Sequence, residues 1–122
     1  MIQGLAEEQR LPGAIVHGGL VWLAGGAADD ASLDTGGQTA DVLRQADAPL
    51  VQAGTDKRRL LSVTAVLADV RGAAAMNPSW NGWFDPAARP ARMTIGAALV
   101  GPSWGVEVTG VAALDGRGAR NA

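Results

Sequence analysis

The stretch PARMTIGAALVGPSWGVEVTGVAAL, residues 90 to 114, decides the fold because two apolar runs in it alternate as β-strands do. We predict strands over residues 92 to 100 and 104 to 114, joined by a tight turn at GPS. Each strand carries one charge, Arg92 in the first and Glu107 in the second. A charge in a half-buried strand costs free energy unless it has a partner or a chemical task.

The predicted pairing of these two strands keeps their charges apart. In a hairpin closed at GPS, Arg92 lies opposite Ala112 and Glu107 lies opposite Ala97. The charges are then about five residues, or roughly 16 Å, apart along the ladder, and they point to opposite faces. We therefore expect no salt bridge between them within one chain, and each needs a partner across an interface or in a ligand.

Three more strands precede this stretch. Residues 13 to 26, GAIVHGGLVWLAGG, predict two short strands joined by a tight turn at Gly18-Gly19. Residues 61 to 67 alternate between two sets of side chains, which predicts a strand buried on at least one face. The buried set is expected to be Leu61, Val63, Ala65 and Leu67.

Two helices are predicted between the strands. The first spans residues 38 to 53, with Asp34 or Thr39 as its N-cap and Gly54 just past its end. Pro49 is expected to kink or break it. The second has one apolar stripe, formed by Ala73, Met76, Trp80 and Trp83.

Pro78 interrupts that stripe, and it either kinks the second helix or restarts it after an Asn77 cap.

The order of the predicted elements is β-β-α-β-α-β-β, which is an α+β fold with two helices packed on one sheet. We predict a single domain over residues 1 to 114 and a disordered tail over residues 115 to 122, which is rich in glycine and charge.

The composition limits both the core and the partners. Among 122 residues, 17 are glycine and only five are aromatic, so an Ala/Val core buries little area and favours oligomerisation. We expect the strand carrying Val106, Val108 and Val111 to contribute to that contact. The net charge of −2 argues against nucleic acid as a partner.

Several classes of site are excluded by residue types. The chain has no cysteine, which rules out thiolate nucleophiles and zinc-thiolate sites, and its single histidine, His17, cannot form a multi-histidine metal site. The acidic loop at Asp29, Asp30 and Asp34 lacks the spacing of a calcium loop. The sequence has neither a signal peptide nor an apolar run of about 20 residues, so we expect a cytoplasmic protein without membrane association.

The segment from residue 60 to residue 114 resembles the second half of the Rid family, the reactive intermediate deaminases, also called YjgF-type or RidA-like proteins. The N-terminal half agrees more loosely, through GGLVWLAGG. The resemblance implies a chorismate-mutase-like fold with one mixed sheet, assembly as a homotrimer, and ligand clefts between the subunits.

The resemblance also implies a set of site residues. Arg92 matches the arginine of the family's PAR motif, which grips the substrate carboxylate, and Glu107 matches a glutamate linked to activating water. Asn77 matches an asparagine of the second helix, and Thr94 lies where the backbone lines the same cleft. No tyrosine is present to match the family's N-terminal Gly-Pro-Tyr segment.

A second departure is Ala24-Gly25, which stands where the family has Ser-Gly. The chain is most similar to a shorter, divergent subgroup that retains the arginine.

The reaction that the resemblance implies is hydrolytic deamination of 2-imino or enamino acids to 2-keto acids and ammonia, without a metal or organic cofactor. The alternative is a non-catalytic module that senses small carboxylates, such as keto acids, in the same cleft.

Overall fold

The computed structural model describes residues 3–7 and 12–114. The strands are β1 Gln3–Glu7, β2 Pro12–His17, β3 Leu20–Leu23, β4 Gly26–Ala27, β5 Leu60–Leu67, β6 Ala91–Gly96 and β7 Val106–Ala113. The helices are α1 Thr35–Gln45, α2 Asp47–Ala53 and α3 Ala73–Trp83. The tail predicted to be disordered, residues 115 to 122, lies outside the described residues.

The strands form one mixed sheet in the order β1-β2-β3-β7-β5-β6, and β4 pairs with β7 beside β3. Strands β5 and β6 run parallel, joined by α3 as the crossover, and the other pairs are antiparallel. The helices pack on one face of the sheet and share one buried core with it. The predicted α+β fold is confirmed.

The turn between β2 and β3 follows the prediction. Gly18 and Gly19 have φ angles of +61° and +78°, the left-handed pair that a two-residue hairpin loop requires. Strand β1 was not predicted, because the segment QGLAE has no clear alternation of apolar and polar residues. It pairs antiparallel with β2, the next strand in the chain, with Gln3 opposite Val16 and Glu7 opposite Pro12.

The first predicted helix is broken in two at Ala46. Asp34 is its N-cap, accepting a 2.8 Å hydrogen bond from the backbone N–H of Gly37, and Gly54 ends α2 with a φ of +91°. Pro49 is the third residue of α2, where a backbone N–H has no acceptor within the helix. The proline therefore removes no hydrogen bond of α2 at this position. The expectation that Pro49 kinks or breaks the helix is confirmed.

The second helix continues through its proline. Pro78 lies inside α3, so the alternative in which Asn77 caps a new helix is wrong. Met76 and Trp80 are buried and Trp83 is half-buried, as the predicted stripe requires. Proline removes one backbone hydrogen bond, and the packing of this stripe keeps the segment helical.

The predicted hairpin between the last two strands is wrong. Strand β5 lies between β6 and β7 and pairs with both. The parallel crossover through α3 brings β6 to one edge of β5, and β7 then occupies the other edge. No local pattern distinguishes this arrangement from a hairpin, because both satisfy the alternation of the two strands.

Strand β5 has an irregularity between Leu60 and Ser62, which shifts the predicted alternation. Leu60 is buried where Leu61 was expected, and Leu61 is half-buried. Val106 and Val108 also face the helices, with 0% and 9% exposure, so the predicted subunit contact of this sheet would involve its other face. Val111 remains available for such a contact, because it is paired with Trp22 on the other face.

We call the sheet face opposite the helices the open face. It carries Ile15, Trp22, Ser62, Thr64, Val66, Met93, Ile95, Glu107, Thr109 and Val111. None of these belongs to the core cluster that the described helices share with the sheet. Trp22, Met93 and Ile95 are 48%, 56% and 39% exposed, which leaves a large apolar area uncovered in a single chain.

Candidate functional site

Arg92 lies on β6, the last strand of the sheet, and its side chain points to the helix side because its neighbour in the ladder is the buried Val63. The side chain is exposed, and its Cζ lies 4.8 Å from the centre of the Trp80 ring. None of the ion pairs among the described residues includes Arg92. The guanidinium is therefore supported by an aromatic surface without a carboxylate partner in this part of the chain.

Trp80 is held rigidly beneath that guanidinium. It is 5% exposed and packs against Phe84, with 4.5 Å between the ring centres. A cation stacked on an indole ring gains about 0.5–2 kcal/mol, depending on exposure. The helix stripe predicts Trp80 as a core residue but does not reveal its role under Arg92, because that contact joins α3 to a strand that follows it.

The end of α3 is anchored by charged groups nearby. The Nζ of Lys57 donates a 2.7 Å hydrogen bond to the Trp83 carbonyl and lies 4.6 Å from that ring. Just beyond the helix, the backbone N–H of Ala87 and the guanidinium of Arg58 lower the pKa of Asp85 below its ordinary value. These contacts limit the movement of the helix end that carries Trp80.

Thr94 and Asn77 are the other predicted binding residues, and they lie on β6 and α3. Thr94 is half-buried, two residues further along β6, and points to the same face, since Ala65 is its neighbour in the ladder. A Cβ built on Gly96 would lie 2.9 Å from Cβ of Val70, so the chain entering α3 passes the far end of β6. Asn77 is half-buried, one helical turn before Trp80. Arg92 and Thr94 thus point to the same face of β6, and Asn77 lies on α3, one turn before the tryptophan that Arg92 contacts.

Glu107 lies on the open face, between Val66 of β5 and Ala27 of β4. It is half-buried, and its carboxylate has no hydrogen-bond or ionic partner among the described side chains. A Cβ built on Gly25 would lie 3.0 Å from Oε2 of Glu107, so this carboxylate rests directly against glycine backbone. The run of small residues at 24 to 26 was the only sequence signal of that approach.

The register separates Arg92 from Glu107 within one chain. Arg92 of β6 pairs with Val63 of β5, and Val63 pairs in turn with Gly110 of β7. Glu107 lies three residues before Gly110 on β7. The two Cα atoms are therefore about 10 Å apart along the strands and about 9.5 Å apart across them. Their side chains also point to opposite faces of the sheet. The predicted separation of the charges is correct, although the hairpin from which it was predicted is wrong.

A cavity of about 380 Å³ lies between the sheet and the first two helices. It is lined by none of the four predicted site residues, but Gly25, Ala27 and Thr109 contribute to its wall. Gly25 contacts Glu107, Ala27 is its neighbour in the ladder, and Thr109 is on the same face two residues along β7. The cavity therefore borders the position of Glu107.

The whole described domain matches one protein family. The model of the family described as endoribonuclease L-PSP matches residues 1–114. The chain belongs to this family. A RutC family protein of Haemophilus ducreyi is 34% identical over 115 residues, covering 94% of this chain and 98% of that protein. The RutC family protein YoaB of Escherichia coli is 35% identical over 107 residues, covering 88% and 93%.

Solved structures of the endoribonuclease L-PSP fold agree with this assignment. An uncharacterised protein from Pseudomonas aeruginosa superposes with a TM-score of 0.88 at 34% identity, covering 94% of this chain and 100% of that one. A member of the YjgF protein family from Neisseria meningitidis superposes with a TM-score of 0.85 at 32% identity, covering 94% and 96%. The resemblance to the YjgF-type proteins is confirmed.

Among the described helices, none is long and apolar enough to cross a membrane.

Proposed function

We propose that this protein hydrolyses reactive 2-imino and enamino acids to 2-keto acids and ammonia, in clefts between the subunits of a homotrimer. One observation carries the proposal: Arg92 and Glu107 lie on opposite faces of one sheet, and neither has a charged partner among the described residues. Two such groups can act on one small molecule only if they come from different subunits. The resemblance to the deaminating members assigns both of them to one cleft.

Arg92 is suited to hold the substrate carboxylate. Its guanidinium is exposed and lies over the Trp80 ring, and a bidentate pair with a carboxylate contributes about 1.5–3 kcal/mol. Thr94, on the same face of β6, and Asn77 of α3 are assigned to the same cleft by the resemblance, and they offer hydroxyl and amide groups for the remaining polar atoms of the ligand. This set accounts for recognition without involving Glu107.

Glu107 is assigned the activation of water. The imine carbon C2 is already electrophilic, so water needs only to be positioned and partly deprotonated. The carboxylate accepts a proton from water as the oxygen bonds to C2, and the nitrogen gains that proton. The proton of the new hydroxyl group is then transferred to the nitrogen, the C–N bond breaks, ammonia leaves, and the keto group forms. A positioned general base of this kind contributes about 10²–10⁴ in rate.

The open face supports the assembly. Trp22, Met93 and Ile95 leave a partly exposed apolar surface that a single chain does not cover, and the thin core gives the monomer little stability to spare. We propose that this face forms the contact between subunits of the trimer. Glu107 lies on that face, so the contact also brings it to a subunit boundary.

The alternative is a non-catalytic module that binds small carboxylates in the same cleft, with Glu107 in a structural hydrogen bond. A coupled assay separates the two functions. A serine dehydratase generates 2-iminopropionate, semicarbazide traps it, and the protein is added at increasing concentration. Diversion of the imine from the trap, in proportion to protein, supports the deaminase. An unchanged trapping rate, together with pyruvate binding that depends on Arg92, supports the binding module.

A further inference from the structure

The sheet has an opening next to Glu107. Strand β3 ends at Leu23, and β4 begins only at Gly26, so β7 loses its neighbour on that side opposite Thr109 and Gly110. The Thr109 hydroxyl bridges part of the gap by donating a 2.6 Å hydrogen bond to the Leu23 carbonyl. The backbone N–H of Ala24 bonds instead to the Gly13 carbonyl on β2, which draws the chain away from β7.

The 380 Å³ cavity extends from this opening to the helix layer. Val108 and Thr109 of β7, the two residues next to this opening and to Glu107, both line it. Its deep wall is formed by Val42, Leu43, Ala46, Leu60 and Val63. Gly13, Gly26 and Gly110 also line it.

The lining of the cavity disfavours a ligand group that carries a charge. Of the described residues that line it, none is charged, and only Gln45 and Thr109 have polar side chains. The amide nitrogen of Gln45 already donates to the Ala27 carbonyl and to Asp41, and the Thr109 hydroxyl donates to Leu23. An ionised group placed there would lose its hydration without gaining a partner, whereas an apolar group would lose only contact with water.

We propose that this cavity receives the side chain of the substrate, and that the enzyme acts best on 2-imino acids with a branched or aromatic apolar side chain. This inference rests on the proposed function. With C2 near Glu107 and the carboxylate at the partner subunit's guanidinium, the remaining substituent on C2 enters the opening beside Gly25. A cavity of about 150 Å³ accommodates benzene, so 380 Å³ is sufficient for an isobutyl or benzyl group.

The test compares three imino acids that differ only in the side chain. Amino-acid oxidases generate them in place from alanine, leucine and glutamate, and semicarbazide trapping measures the rate of hydrolysis above the spontaneous rate. We expect kcat/KM to be about fourfold higher for each additional buried methylene, and therefore clearly higher for the isobutyl substrate than for the methyl substrate. The substrate with an anionic side chain is expected to be the poorest.

A variant that fills the cavity makes the test specific. Ala46 lines the cavity with ordinary right-handed helical backbone, so Ala46→Leu adds three carbons to the wall without backbone strain. It should lower kcat/KM for the isobutyl substrate at least tenfold and change that for the methyl substrate less than twofold. Ala40→Leu, the same substitution on the exposed surface of α1, is the matched control and should change neither. Equal selectivity in both variants would overturn the proposal.

A binding measurement keeps this inference separate from the proposed activity. Calorimetry with pyruvate, 4-methyl-2-oxopentanoate and 2-oxoglutarate should give the tightest binding for the branched keto acid, and Ala46→Leu should remove that advantage. If no imino acid is hydrolysed but this order of binding holds, the deaminase proposal fails and the apolar cavity site stands. If hydrolysis occurs without preference for the branched side chain, the cavity proposal fails and the deaminase stands. Absence of both hydrolysis and binding overturns both.

Discussion

The Cζ of Arg92 lies 4.8 Å from the centre of the Trp80 ring, so the proposed carboxylate anchor rests on a core tryptophan. This contact joins the edge strand of the sheet to the buried stripe of α3. It stabilises the guanidinium while its hydrogen-bonding groups stay available. The ligand site therefore depends on how α3 is packed as much as on the arginine itself.

Arg92→Lys should impair keto-acid binding almost as severely as Arg92→Ala. A lysine ammonium cannot reproduce the planar two-bond fork of the guanidinium, and it stacks less well on an aromatic ring. Calorimetry with 2-ketobutyrate measures the loss, expected at about tenfold or more for both variants. Arg71→Lys, an exposed arginine paired with Asp69, is the control and should leave binding unchanged. If Arg92→Ala binds 2-ketobutyrate with wild-type affinity, Arg92 does not bind the carboxylate.

Trp80→Leu should weaken binding through Arg92 although Trp80 itself does not contact the ligand. Loss of the aromatic surface removes about 0.5–2 kcal/mol of support for the guanidinium, which lowers keto-acid affinity several-fold. The control is Phe84→Leu, which also removes a buried ring next to Trp80 but leaves the tryptophan in place. Both variants should lower the melting temperature, and only Trp80→Leu should also lower affinity. Equal affinities in the two folded variants would show that the stacking has no effect on binding.

Glu107→Gln should remove turnover and retain keto-acid binding. The amide keeps the shape of the side chain but cannot accept a proton from water, so kcat should fall by about 10²–10⁴. The trapping assay measures kcat, and calorimetry with 2-ketobutyrate measures binding on the same preparation. A variant that turns over imine at the wild-type rate would exclude Glu107 as the base.

Gly25→Ala should reduce kcat without unfolding the chain. The new methyl would lie 3.0 Å from Oε2 of Glu107, and the flexible end of that side chain would move by a few tenths of an ångström. Such a displacement of a general base lowers its efficiency. Gly82→Ala, where no atom lies within 4 Å of the new methyl, is the matched control and should keep wild-type kcat. If both variants have the wild-type rate, the position of the carboxylate against Gly25 has no catalytic consequence.

Ile95→Lys should dissociate the trimer. Ile95 lies on the open face next to Val66, and a lysine at a subunit contact would bury an unpaired charge. Light scattering at micromolar concentration should show a trimer for the wild type and a smaller species for the variant. Val100→Lys, at a loop position that is 99% exposed, should remain trimeric. A wild-type protein that is monomeric at this concentration would contradict both the trimer and the shared cleft.

Local patterns in the sequence predicted the elements that depend on nearby residues. The turn at Gly18-Gly19, the cap at Asp34 and the stripe that includes Trp80 each involve residues a few positions apart, so their chemistry is visible in a short window. The alternation of residues also predicted that Arg92 and Glu107 point to opposite faces. The prediction holds because the register through β5 aligns Arg92 with Gly110, so even-numbered residues of β6 and β7 share a face, as they do in the predicted hairpin.

Tertiary structure alone decided which strands are neighbours and which side chains meet. Strand β5 separates β6 from β7, Trp80 lies under Arg92, and Gly25 lies against Glu107. Each of these relationships joins residues at least a dozen positions apart. They result from the way the crossover through α3 and the break between β3 and β4 pack around one core, which includes Leu50, Met76 and Trp80. Packing free energy is shared over the whole core, so no short stretch of the sequence encodes it.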